Sequence, residues 1–171
     1  MRLPIRHYPD PVLREPAKPV GEVTDEIRRL ADDMIETMKE ADGVGLAAPQ
    51  VGRSLRLVVI NFAIGREAPP DARVLVNPKL DNYAKATRAG REGCLSFPGV
   101  YGDVRRSLAL DLRAADLDGG PVALRAEDYL ARVLQHEIDH LDNVLFIDRM
   151  GPAARLAARG ELAALEAIFG K

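Results

Sequence analysis

From Ile27 to Met38, apolar residues return every three or four positions, through Leu30, Ala31, Met34 and Ile35. That period predicts an amphipathic helix with one buried face. Thr24 reads as its N-cap, and Asp25 and Glu26 fall in the first turn, where the helix dipole favours acids. Gly43 and Gly45 place its end near Ala41. A second helical period runs through Tyr129, Leu130, Val133, Leu134, Ile138 and Leu141, predicting a helix from 126 or 127 to about 142. Between the two, β-branched runs and a Leu108, Leu110, Leu112 alternation predict strands at 55–62, 74–77, 100–106 and 108–114. The run at 74–77 is expected to end at Pro78. Asp118-Gly119-Gly120-Pro121 signals a turn, and 63–72 reads as a surface loop. Residues 1–21, rich in proline, read as an extended arm with turns. The alanine- and leucine-rich tail at 152–169 predicts helix, interrupted at Gly160.

Strands grouped in the middle with helices near both ends predict an α+β fold rather than a doubly wound sheet. No strand is followed by a glycine fingerprint opening a helix, so nucleotide binding has no support. The length, 171 residues, suits one domain over 1–171, with 152–171 as a helical tail. A net charge of −2 argues against a strongly basic nucleic-acid binder. With one cysteine, Cys94, a disulfide-stapled scaffold is excluded. The first residues, MRLPIRHYPDP, have no apolar core of a signal peptide, and the apolar stretch at 57–64 is too short to span a bilayer. The expected location is the cytoplasm, with no membrane partner and no specific nucleic acid.

The sharpest chemical signal is His136-Glu137-Ile138-Asp139-His140. Four apart on a helix, His136 and His140 project from one face and reach a single metal ion. Glu137, next to the first ligand, is placed to handle the proton of a bound water. A catalytic metal needs a third protein ligand. Cys94, in Glu92-Gly93-Cys94-Leu95-Ser96-Phe97-Pro98-Gly99, is one candidate, although a lone cysteine is commonly a small buried hydrophobe. Glu161, 21 residues beyond His140, is the other, in the manner of some HExxH metallopeptidases. Asn143 and Phe146 exclude the metzincin pattern. A third stretch, Gly43-Val44-Gly45-Leu46-Ala47-Ala48-Pro49-Gln50, reads as a loop after the first helix. Its glycines let a ligand approach the backbone, and Gln50 can donate to a developing oxyanion.

Taken together, the stretches GVGLAAPQ (43–50), EGCLS (92–96) and QHEIDHL (135–141) resemble the signatures of the bacterial peptide deformylase family, in the family's order. Tyr8-Pro9-Asp10-Pro11-Val12-Leu13-Arg14 resembles the family's opening, so the likeness reaches from about 5 to 148. One departure is Asn143, where the family usually has glycine. Asparagine tolerates the left-handed conformation of a helix stop, so the same ending is expected. The resemblance implies antiparallel sheets packed around a central HExxH helix, with N- and C-terminal helices. It implies Cys94, His136 and His140 as ligands of Fe(II), which nickel, cobalt or zinc replaces. It implies that metal-bound hydroxide attacks the formyl carbon of N-formylmethionyl nascent chains, with Glu137 moving the proton. Gln50 and the Leu95 N–H would then stabilise the oxyanion, and a Glu92–Arg106 ion pair would hold the cysteine loop. Val44 and Gly45 are expected to pair with the peptide main chain, and Tyr129 and Val133 to line the methionine pocket. Transient ribosome contact is a family expectation, to which this tail brings only Arg155, Arg159 and Lys171 against Glu161 and Glu166.

Overall fold

The computed structural model describes residues 1–64 and 70–170. Half of the expected loop at 63–72, residues 65–69, therefore lies outside the described residues, as does Lys171. The first helix, α1, spans Asp25–Glu40, with the Thr24 hydroxyl accepting from the Ile27 N–H at 3.4 Å and Ala41 closing it. Strands follow as β1 (Gly45–Ala47), β2 (Leu57–Asn61), β3 (Ala72–Asp81), β4 (Thr87–Gly93), β5 (Tyr101–Ser107), β6 (Ala109–Ala115) and β7 (Pro121–Glu127). The chain then enters α2 (Asp128–Leu141), a short α3 (Phe146–Arg149), α4 (Pro152–Ala157) and α5 (Arg159–Phe169).

Two antiparallel sheets result, one of five strands in the order β1-β2-β3-β6-β7 and one formed by β4 and β5. Alternation along β2 explains the layers. Leu57 and Val59 pack with Met34 and Met38 of α1, whereas Val58 and Ile60 pack with Leu134 and Ile138 of α2. A strand buried on both faces reads as a continuous apolar run, and each fully buried aliphatic side chain contributes about 1.5–3 kcal/mol. α2 thus lies with the large sheet on one flank and the β4–β5 hairpin on another, the central helix of an α+β fold.

Four expectations need correction. β3 runs through Pro78 because Asn77 adopts φ +52° and the register shifts between Val76 and Lys79, a bulge that removes the need for the missing N–H. Residues 45–47 form an edge strand and 48–51 a 3-10 turn, not a plain loop. β4 and β7 carry no apolar alternation strong enough to announce them. The tail breaks at Ala158, not at Gly160, which lies inside α5. Asn143 does take the left-handed conformation, φ +55°, just past α2.

The N-terminal arm packs Leu13 against Phe97 and Phe146. Arg14 forms an ion pair with Asp148, which also accepts from the Leu145 N–H at 2.9 Å. Burial raises the Asp148 carboxyl, but Arg14 and the Leu145 N–H outweigh it and leave it below its usual 3.8. A carboxylate lowered in the folded chain stabilises it above 3.8 and loses that contribution as pH falls through the lowered value. Asp148→Asn is therefore expected to cost about 0.5–1 kcal/mol at neutral pH, a partly exposed pair being screened by water. Urea unfolding at pH 7 and in acid checks this, since the difference from wild type should shrink in acid.

Candidate metal centre and active site

His136 and His140 project from α2 toward Cys94, which follows β4 in a turn closed by the Phe97 N–H donating to the Cys94 carbonyl at 2.9 Å. One ligand atom from each of the three lies within 4.8 Å of the others, the only such group among the described residues. Cys94 Sγ stands 3.3 Å from His140 Nε2. Glu161, the rival third ligand, is exposed on α5 and outside this group.

Glu92 orients the His136 ring, whereas the buried His140 Nδ1 has no hydrogen-bond partner among the described residues. His136 Nδ1 lies 3.0 Å from Glu92 Oε2, so it donates to that carboxylate and leaves Nε2 on the side of Cys94 and His140. Burial alone would raise the Glu92 carboxyl. Hydrogen bonds from His136 and Arg106 overcome it and bring its pKa to about 2, so Glu92 stays ionised. Arg106 grips both carboxylate oxygens at 3.0 Å and reaches Asp139 at 2.6 Å, as the expected ion pair requires. Burial lowers His140 well below 6.5 and keeps its ring neutral, the form that ligates a metal. Phe146 of α3 backs the His136 ring, with centroids 5.8 Å apart.

Glu137 is buried beside this group, and its Oε2 has no hydrogen-bond partner among the described residues. Burial raises its carboxyl to about 7. Gly45 makes the close approach possible, since a Cβ there would lie 2.5 Å from Glu137 Oε1. The Gln50 amide oxygen accepts from the Ala47 N–H at 2.8 Å, which fixes its orientation. Its nitrogen then donates to Cys94 Sγ at 3.3 Å and Ser96 Oγ at 3.2 Å. Leu95 N–H has no acceptor among the described residues. A thiol and two imidazoles, each with a ligand atom in the group, beside an unpartnered buried carboxyl oxygen fit a divalent metal and a water.

A cavity of about 530 Å³ opens on these groups and takes in Val44, Gly45, Tyr129 and Val133. Val133 is buried in its wall, and Tyr129 is half exposed at its rim. The Val44 carbonyl accepts from the Asn61 N–H at 2.9 Å, so it is committed to β2. By strand alternation the Gly45 N–H and C=O point to the open edge of β1. Sequence reasoning did not find Tyr101, Arg91 and Arg132, which also line the cavity. Tyr101 and Arg91 face each other across β4 and β5, with the guanidinium 4.8 Å from the ring centroid.

Donor sets of this kind on an HExxH helix mark metal-dependent hydrolases, and that is the class to which fold and site assign the chain. Its place within the class is shown by sequence. Residues 2–155 match the polypeptide deformylase family, and the chain belongs to it. It is 50% identical to a peptide deformylase of Alkalilimnicola ehrlichii over 161 residues, covering 94% of this chain and 88% of that one. It is 47% identical to a peptide deformylase of Acidobacterium capsulatum, covering 89% of this chain and 88% of the relative. A plant peptide deformylase structure superposes with a TM-score of 0.92 at 41% identity, over 98% of this chain and 90% of that one. A Legionella pneumophila peptide deformylase gives 0.87 at 38% identity, over 100% and 99% of the two chains.

Proposed function

We propose that the chain hydrolyses the N-formyl group from the formylmethionine of newly synthesised polypeptides, releasing formate and a free N-terminal methionine. Family membership supports the reaction. The observation that carries the mechanism is the convergence of Cys94, His136 and His140 beside the buried, unpartnered Glu137 carboxylate. Those three side chains hold the metal. When bound, the ion supplies a Lewis acid and lowers the pKa of a water. Iron(II) is the resident ion on this reading, with nickel, cobalt or zinc accepted in its place, since the donor set alone does not choose.

Glu137 takes the proton of the attacking water and delivers it to the departing amine nitrogen. A carboxyl buried beside the site, with an oxygen free of protein partners among the described residues, is placed for both halves of that transfer. The Gln50 amide and the Leu95 N–H donate to the formyl oxygen as charge grows on it. Val133 and Val44 enclose the methionine side chain, and Tyr129 covers its outer edge. The open Gly45 main chain pairs with the peptide like an added strand. Recognition through the formyl group, one side chain and the backbone suits an enzyme that meets many nascent chains. No described helix is long and apolar enough to cross a membrane. Action in the cytoplasm and a transient ribosome contact belong to the same reading. The tail's basic face is weak for such docking, because Arg155 already donates to the Ile147 carbonyl at 2.8 Å.

Protein purified without air should release formate from a formyl-Met tripeptide. Chelation should abolish the activity and ferrous, nickel or cobalt ion restore it. A fully metal-loaded chain that releases no formate overturns the reading.

A further inference from the structure

The three candidate ligands sit on two elements that share no sheet. Cys94 hangs from the β4–β5 hairpin, while His136 and His140 belong to α2, and no hairpin strand pairs with the five-stranded sheet. The distance from Cys94 to the histidines therefore depends on side-chain ties between hairpin and helix. Besides the direct Glu92–His136 contact, Arg132 makes the tie that reaches furthest into the hairpin. It stands one helical turn before His136, on the same face of α2. Its Nη1 donates to Glu92 Oε1 at 2.7 Å and to the Val104 carbonyl at 2.8 Å, with the Gly90 carbonyl at 3.4 Å. Its Nη2 donates to the Arg88 carbonyl at 2.7 Å. One guanidinium thus grips both strands of the hairpin and the carboxylate that orients His136. Gly90 leaves the space for it, since a Cβ there would lie 2.9 Å from Nη2 and 3.0 Å from Cζ.

We propose that Arg132 is a positioning residue of the metal centre, which registers the cysteine hairpin on the histidine helix. The proposal rests on the reading of Cys94, His136 and His140 as the ligands. A planar fork of five donors reaches a carboxylate and three carbonyls in different directions. A lysine ammonium answers the Glu92 charge but not that spread of acceptors. Arg106 still pairs with Glu92 when Arg132 is gone. What is lost is the grip on the hairpin backbone, so the error appears in the placement of Cys94.

The test follows metal loss to excess chelator from cobalt- or nickel-loaded full-length chain, beside the unfolding temperature of the metal-free form. Arg132→Met is expected to release metal roughly 10–100-fold faster, the cost typical of an outer partner of a ligand. Arg132→Lys should recover only part of that. At full metal occupancy kcat should fall while KM moves little. A purely structural residue would lower the unfolding temperature and leave metal loss from the folded chain unchanged. Gly90→Ala displaces the guanidinium without removing it, and should speed metal loss in the same direction even if Arg132→Met does not fold. Wild-type release rates in Arg132→Met or Gly90→Ala, or full recovery by lysine, overturn the proposal. A wild-type chain that binds no metal overturns the ligand reading itself, and is seen without any variant.

Discussion

Glu137→Gln is expected to lower formate release by roughly 10²–10⁴-fold, the range that a positioned general acid–base contributes. Glutamine keeps the shape of the side chain and its place against Gly45, but it neither takes nor gives a proton. Bound metal should remain near one per chain, because Glu137 is not among the three converging ligand atoms. The signature is a collapse of kcat with metal content intact. A second readout needs no catalysis. In the metal-free chain burial raises Glu137 from 4.5 to about 7. The folded state therefore binds more protons than the unfolded one between those values, and stability falls as pH rises through that window. Glutamine does not titrate. Metal-free Glu137→Gln should gain on wild type as pH rises from 4.5 to 7 and hold the gain above it. Full activity in the variant, or a melting difference that ignores pH, would sink the assignment.

The helices were legible because their signals are local. Thr24 caps α1 as its position demands, and the apolar stripes of α1 and α2 mark the faces they bury. β4 was not legible, because Thr87, Arg88 and Ala89 are exposed and its partner β5 supplies the order. β7 was hidden by good helix formers, alanine, leucine and glutamate, ahead of α2. Cross-strand pairing with β6 overrides their propensity. Pro78 misled for a related reason, since only the bulge at Asn77 lets a proline sit within β3.

The candidate site divides along the same line. His136, Glu137 and His140 lie within one helical turn, so their geometry follows from the helix alone. Cys94, Glu92 and Arg106 were placed by resemblance, and the structure brings them to the same helix. Gly45 and Arg132 act through close approach between distant segments. A glycine against a carboxylate and an arginine across a hairpin leave no pattern along the chain.

Cys94→Ser is expected to reduce formate release to background at metal concentrations that saturate wild type. A thiolate is the one anionic donor of the set, and a serine hydroxyl stays protonated and binds a borderline-soft ion weakly. Losing a direct ligand should cost more affinity than the 10–100-fold typical of an outer partner. The fold should survive, since Cys94 is only partly buried and serine keeps a hydroxyl within reach of Gln50. The same variant separates the two HExxH readings. If Glu161 were the third ligand, serine at 94 would leave metal bound and internal peptide bonds cut, and Glu161→Gln would remove both. With Glu161 exposed on α5, that variant should instead behave as wild type in formate release and metal content. Equal metal binding by wild type and Cys94→Ser would remove the thiolate from the centre. The Cys94 turn would then be left as substrate wall alone, presenting the Leu95 N–H without holding the ion.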